Sequence, residues 1–222
     1  MTKPTFIPYR HTRQTTDDEM LARSIRFYTL MNSRRTIRKF TSQVIPMDII
    51  KHCIMTAGTA PSGSNQQPWK FAVITDPRVK SEIRTDAEKE EREFYNHRAP
   101  KEWLKAICPL GTDANKPFLE TAPVIIAIFE EKYELLPNGD KIKKYYPTES
   151  VGLATGVLIT ALHYAGLTTL THTPSPMAFL NQILDVPSNY KPFLILVVGH
   201  PAPDVTVPDI KRKTLDEIAE FR

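Results

Sequence analysis

The chain has 222 residues, enough for one large domain with a substantial core, and no Gly/Ser-rich linker or internal repeat divides it. Lysine and arginine exceed aspartate and glutamate by 29 to 25, but the charges are interspersed and no nucleic-acid motif is present, so composition gives no reason to expect a DNA or RNA partner. Its 2 cysteines, Cys53 and Cys108, belong to no C-x-x-C or zinc-type pattern, and its 6 histidines are scattered, so ordinary thiols and no metal are expected.

The opening residues MTKPTFIPYRHTRQ contain neither an apolar signal region nor a spanning segment, which predicts a soluble, cytoplasmic protein with no membrane partner. Over residues 18–33, Leu21, Ile25, Tyr28 and Met31 form a helical stripe. The run SRRTIRKF follows, with Arg34, Arg35 and Arg38 separated by the hydroxyl of Thr36 and the apolar Ile37. Converging guanidinium groups bind phosphate oxygens in pairs and together neutralise a dianion. Taken alone, an Arg-Arg pair is more often a solvated basic cluster.

Pro46 opens a second helix through Ile50, Cys53, Ile54 and Ala57, and the loop TAGTAPSGSNQQPW ends it. Small residues let backbone N–H groups approach a flat polar ligand, and Pro61 and Pro68 stiffen the loop; a plain helix-to-strand connection explains the composition as well. Strands are expected at 70–75, 124–129, 168–172 and 193–199. Between the second and third of these, residues 151–165 are apolar nearly all round and stop at Gly166, the pattern of a buried helix with a glycine cap. The layout is α+β.

The stretch from Asp76 to Thr121 starts as a helix rich in acids and lysines and turns irregular around Pro100, Pro109, Gly111 and Pro117, a composition suited to a lid over residues 86–120. Glu91 and Tyr95 share one helical face, and Lys116 follows the irregular part. A carboxylate, a phenol and an ammonium group match the needs of an amino-acid zwitterion. From the residues alone, a solvated acidic helix and a surface lysine are the better reading.

The arginine run and the loop together resemble the nitroreductase superfamily, in which an Arg-Arg-Ser/Thr-x-Arg run meets the FMN phosphate and a Pro-Ser-x-x-Asn-x-Gln-Pro-Trp loop approaches the flavin. From about Ser33 to Ile218 the chain is more particularly similar to the iodotyrosine deiodinase branch of that superfamily. The resemblance implies a mixed β-sheet flanked by helices, as an intertwined homodimer in which both subunits line each flavin site, all within a single domain 1–222. It implies FMN held by Arg34, Arg35, Thr36, Arg38, Pro61, Ser62, Gly63, Thr171, His172, Thr173 and Arg212. By the same resemblance, Thr173 is expected near flavin N5 and in the catalytic role. It further implies that Glu91, Tyr95 and Lys116 bind the substrate zwitterion and that backbone N–H at Ser64 holds the phenolate oxygen.

The implied reaction is FMN-dependent reductive dehalogenation of iodotyrosine and other halotyrosines, releasing halide and tyrosine. Within enzymes the alternative is a broad NAD(P)H-dependent nitro or quinone reductase with the lid as a mere cover; outside them it is a flavin-binding protein without turnover. No G-x-G-x-x-G fingerprint is present, so a separate reductase could supply the electrons. Two departures from the vertebrate deiodinases concern the site: Ser64, Asn65, Gln66 and Gln67 follow Gly63, and His172 stands where those proteins have threonine.

Overall fold

The computed structural model describes residues 3–9 and 15–222, so part of the opening stretch 1–14 lies outside it. Contacts group the chain into two units, Met1–Arg34 and Arg35–Arg222. In the first unit, helix α1 (Asp17–Ser33) is capped by Thr16, whose hydroxyl accepts the Glu19 N–H at 3.3 Å, and its first turn carries Asp17, Asp18 and Glu19 against the helix dipole. None of its residues is buried. The expected apolar stripe is present as Leu21, Ile25 and Tyr28, all exposed.

The second unit is built on an antiparallel sheet ordered β1-β2-β6-β5, with β1 at Trp69–Ile74, β2 at Val124–Glu131, β5 at Thr168–His172 and β6 at Tyr190–Gly199. The two central strands read as continuous apolar runs because both their faces are covered. On one face, Ile125, Ala127, Phe129, Ile195 and Val197 pack with Ile83 and Ala87 of α3 (Pro77–Glu93), Phe118 and Leu119 of α5 (Phe118–Thr121) and Leu180 of α7 (Phe179–Ile183). On the other, Val124, Ile126, Ile128, Leu194 and Leu196 pack with Ile50, Cys53 and Ala57 of α2 (Met47–Ala57) and Val151, Leu158 and Leu162 of α6 (Pro147–Tyr164). β2 and β6 both run past their apolar residues. Glu130, only 1 % exposed, is held there by Lys132 two residues on at 2.6 Å and by the Thr148 hydroxyl at 2.5 Å, the latter a tertiary contact that overrides its poor strand propensity.

α6 ends as its sequence suggests. Gly166 adopts φ +86°, its N–H reaches His163 O at 3.0 Å, and Leu167 N–H reaches Leu162 O at 2.9 Å. The helix buries Val151, Ala154, Leu158 and Leu162 but leaves Leu153 and Gly156 open on the opposite side. A two-stranded hairpin, β3 (Tyr133–Leu135) with β4 (Lys141–Lys143), lies outside the expected strands; Asn138-Gly139 between two short runs is its sequence signal, with Gly139 at φ +88°.

The lid region is more regular than its prolines suggest. α3 starts at the Asp76 cap, which accepts the Arg78 N–H at 2.8 Å, and continues into a π-helical turn, Phe94–Arg98, closed by Ala99 N–H on Phe94 O at 2.8 Å. Pro100 then caps helix α4 (Lys101–Ile107) instead of interrupting it, because a helix start needs no N–H from that position. Trp103 of α4 packs edge-on to Phe94 at 4.7 Å and lies 5.7 Å from Tyr95, which ties the two arms of the lid together.

Candidate active site

The site of the second unit assembles along the open edge of β5. Thr36 bridges to Thr169 and the Ile37 N–H donates to Thr169 O at 3.2 Å, so the arginine segment covers only the first part of that edge. Beyond it, the strand alternates: Thr171 and Thr173 are exposed on one side, and His172 is buried on the other. The imidazole of His172 therefore points away from the face its threonine neighbours present, and only its backbone shares their edge.

A cavity of about 350 Å³ lies beside the arginine segment, lined by Thr36, Arg38, Lys39 and Gly111 and by Thr206, Val207 and Pro208 of the tail. The Arg35 guanidinium donates to Pro208 O, which fixes the tail against the segment. Arg38 is partly buried, and that burial pulls its guanidinium below the usual range, with Tyr95 opposing. Arg34 belongs to the first unit, where it caps α1 with its N–H on Met31 O at 3.2 Å. Arg212 lies in the exposed tail four residues beyond Pro208.

The glycine and serine loop uses most of its own donors. Asn65 N–H goes to Ser62 O at 3.0 Å, Gln66 N–H to Gly63 O at 3.0 Å, and Gln67 N–H to the Ser62 hydroxyl at 3.0 Å. The Gly63 N–H reaches the Ser150 hydroxyl at 3.3 Å, and a Cβ on Gly63 would sit 2.5 Å from Tyr145 O. Glycine is thus required at 63 by the Tyr145 backbone, where composition alone suggested room for a ligand. Ser64 and Asn65, at φ 50° and 53°, turn the chain through the left-handed region. Ser64 is exposed and its N–H is left out of the loop's hydrogen bonds.

The lid brings Glu91, Tyr95 and Lys116 together. Lys116 Nζ lies 3.4 Å from Glu91 Oε2, 3.0 Å from the Thr112 hydroxyl and 5.6 Å from the Tyr95 ring centre. Glu91 and Lys116 are 8 % and 3 % exposed, so this is a buried ion pair and not the solvated helix face that the acid-rich sequence also allowed. At 3.4 Å the contact is electrostatic only, and Glu91 Oε2 has no hydrogen-bond partner. Burial pulls Lys116 below the usual lysine range, against the attraction of Glu91. Burial also pushes the Tyr95 phenol upward, reinforced by the neighbouring Glu91 carboxylate, so the phenol stays protonated.

Two residues missing from the sequence reading support the triad. Glu88 accepts the Lys116 N–H at 2.8 Å and the Arg84 Nε–H at 2.7 Å, fixing the returning lid strand to α3. Thr112 holds Lys116 Nζ from four residues upstream in an irregular segment, where no periodicity could have signalled it. A second cavity of about 670 Å³ opens at Thr173, lined also by Glu130, Thr148, Met177 and Phe193.

Residues 31–200 match the profile of the Nitroreductase family. An iodotyrosine deiodinase of Haliscomenobacter hydrossis is 52 % identical over 95 % of this chain and 95 % of its own length. Iodotyrosine deiodinase 1 of Mus musculus is 44 % identical over 96 % of this chain and 74 % of its own. Among solved structures, an oxidised iodotyrosine deiodinase bound to FMN and 3-iodo-L-tyrosine superposes with a TM-score of 0.74 at 30 % identity, covering 88 % of this chain and 100 % of that one. A nitroreductase family protein from Clostridium novyi, at 21 % identity and a TM-score of 0.59, shares the fold. The chain belongs to the nitroreductase family and, within it, to the iodotyrosine deiodinases.

Proposed function

We propose that this protein is an FMN-dependent reductive dehalogenase of iodotyrosine and related halotyrosines. The observation that carries the substrate assignment is the buried Glu91 and Lys116 pair, with Tyr95 beside it and Glu91 Oε2 lacking a hydrogen bond. An amino-acid zwitterion brings an ammonium group for Glu91 and a carboxylate for Lys116, and so replaces one weak internal contact with two charge-assisted ones. A bare phenol or nitroarene brings neither. A nitro or quinone reductase would have no use for a buried ion pair in its cover.

The residues present fit FMN. Arg35, Arg38 and Thr36 offer charge and a hydroxyl for its phosphate beside the cavity that Arg38 lines, and the tail that carries Arg212 begins there. Pro61, Ser62 and Gly63 shape the loop, and the uncovered edge from Thr171 to Thr173 offers backbone groups and two exposed hydroxyls to a flat ring. When bound, FMN supplies the two electrons that, with a proton, convert the carbon–halogen bond into a carbon–hydrogen bond and a free halide.

The chain's own part is recognition and placement. The Ser64 N–H serves as donor to the phenolate oxygen, Glu91, Tyr95 and Lys116 hold the other end of the substrate, and the lid over them excludes water. Thr173 presents a hydroxyl that both donates and accepts, and so can follow a flavin nitrogen through a change of protonation. The protein works as a homodimer: the exposed apolar stripe of α1 and the open Leu153 and Gly156 face of α6 are surfaces that a second copy would cover.

The test is a titration of the FMN-loaded protein, followed by flavin fluorescence, with iodotyrosine, tyrosine and iodophenol. Iodotyrosine should bind at least about a hundredfold more tightly than iodophenol, the scale of two buried charge-assisted hydrogen bonds. Anaerobic addition of dithionite should then release iodide. Equal affinity for the two iodinated ligands would remove the zwitterion reading, and absence of iodide would leave a binding protein.

A further inference from the structure

We infer that His172 is a positioning residue that aims the Glu91 carboxylate at the substrate's ammonium group, and so contributes to the preference for a zwitterionic halotyrosine over a bare halophenol. The inference rests on the halotyrosine reading above and adds a residue for which the resemblance implies only a place along the flavin.

His172 of β5 approaches residues of both α3 and α5, the two helices on either side of the lid. Its ring stands edge-on to Phe118 with centres 5.7 Å apart, and its Nδ1 lies 3.9 Å from Glu91 Oε1. Glu91 lies in the last turn of α3, whereas Phe118 starts α5 two residues after Lys116, so the imidazole sits beneath the junction that forms the zwitterion site. The ring is 7 % exposed and its Nε2 has no partner. A buried imidazole with an unpaired nitrogen is unfavourable, and threonine, the residue of its neighbours on either side, would fill an edge strand without that penalty.

The imidazole is neutral. Burial, and then the nearby Lys116 charge, push its pKa down to about 3, so the approach to Glu91 Oε1 is a contact between a neutral ring and a carboxylate and not an ion pair. A neutral imidazole facing a carboxylate oxygen through Nδ1 favours the tautomer with hydrogen on Nδ1, since the other would set two lone pairs against each other.

The two oxygens of Glu91 then have different tasks. Oε1 faces the His172 donor, while Oε2 faces Lys116 at 3.4 Å without a hydrogen bond. An entering substrate carboxylate competes for Lys116 and loosens the contact that holds Glu91. With Oε1 gripped by Nδ1–H, which shortens from 3.9 Å toward about 2.9 Å as the lid tightens, Oε2 is left oriented toward the ammonium group. Without that grip the carboxylate would be free to turn.

The test uses FMN-loaded His172→Phe, which keeps a ring against Phe118 and removes both nitrogens, and His172→Asn, whose amide places a donor near the position of Nδ1. His172→Phe should weaken iodotyrosine binding about tenfold, the scale of one hydrogen bond to a charged group, with iodophenol binding and FMN content unchanged. His172→Asn should restore most of the loss. Unchanged iodotyrosine affinity in His172→Phe, or equal losses for both ligands, would overturn the inference while leaving the wild-type preference intact. A wild type that does not discriminate between the ligands overturns the underlying reading and this inference with it. The wild-type protein also gives a measurement that needs no variant: with imidazole-¹⁵N histidine, iodotyrosine should move the His172 Nδ1–H resonance downfield, and a resonance that stays in place counts against the inference.

Discussion

The central strands and the lid are stabilised by opposite means. In β2, residues from Val124 to Phe129 are 1 % exposed or less, and β1 and β6 flank the strand as antiparallel partners, with one register shift against β6 between Ile128 and Phe129. In the lid, the two most deeply buried groups of the zwitterion site are the ions Glu91 and Lys116, a carboxylate oxygen goes without a hydrogen bond, and the chain passes through a π-turn. Apolar burial between paired strands gives a structure indifferent to ligand. A buried ion pair with poor geometry barely recovers its desolvation, so the closed lid is only weakly favoured until something better arrives to pair with its charges. The difference separates a scaffold from a sensor.

The largest effect that would break this contrast is a truncation in the scaffold. Phe129→Ala removes a fully buried ring and should lower the stability of the second unit by about 3–5 kcal/mol, visible as a large fall in the thermal midpoint. Trp103→Ala removes a ring of similar size from the lid, where it is 38 % exposed and touches Phe94 and Tyr95, and should leave the midpoint nearly unchanged while exposing the lid to proteolysis. Comparable midpoints for the two variants would mean that the lid folds as one cooperative piece with the sheet.

Next in size is Lys116→Met, which leaves Glu91 buried without its cation. Breaking a buried pair from one side costs about 3–5 kcal/mol, but a lid can relieve that by opening, so the loss should appear in iodotyrosine affinity and not in the midpoint. At least a hundredfold weaker binding with FMN retained is expected by titration. Tyr95→Phe should cost less, about 1.5 kcal/mol, because it removes one hydrogen bond to a charged group and leaves the Glu91 and Lys116 pair in place. If Lys116→Met binds iodotyrosine as the wild type does, the pair is not part of the recognition site.

The same contrast decides how much was legible in the sequence. The sheet was readable because continuous apolar runs at 124–129 and 193–199 leave few alternatives to buried strands, and the Gly166 stop was readable because a left-handed turn has few candidates. The strand ends were not, since Glu130 and Lys191 enter the ladder through long-range partners that no local window contains. In the lid, Glu91 and Tyr95 were visible as one face, and resemblance added Lys116, but α4 was hidden because Pro100 reads equally as a breaker or a helix start. Thr112 and Glu88 were invisible, because they act across an irregular segment. His172 was placed along the flavin by resemblance, whereas alternation along β5 turns its side chain toward the lid.

The acid response should be intermediate in size. His172 is neutral in the closed site with a pKa of about 3, against 6.5 for a free imidazole, so the open or unfolded state binds the extra proton between those values. A depressed basic group contributes stability that is complete above about pH 6.5 and declines as pH falls toward 3. The slope is on the order of 1.4 kcal/mol per pH unit at most within that window. Iodotyrosine affinity measured from pH 7 to 4.5 should therefore fall more steeply for the wild type than for His172→Phe. Parallel profiles would show that His172 stays neutral whether the lid is open or closed.

The smallest expected effect separates the two chemistries that this fold could support. Thr173 is exposed on the edge of β5, beside the cavity of about 670 Å³, and contributes nothing to the core, so Thr173→Ala should leave stability and FMN content alone. Its hydroxyl can accept from or donate to a flavin nitrogen, and losing one such hydrogen bond is worth about 1 kcal/mol, or roughly a fivefold change in rate. A dehalogenation that moves electrons to the substrate while the flavin changes protonation depends on that adjustable partner, whereas hydride transfer to a nitroarene does not. Iodide release by the variant should fall about fivefold in single-turnover measurements while nitroarene reduction holds or rises, with iodotyrosine affinity within a factor of about two of wild type. Equal losses in both reactions would make Thr173 a packing residue, and would move the distinction between the two activities from the flavin edge to the lid alone.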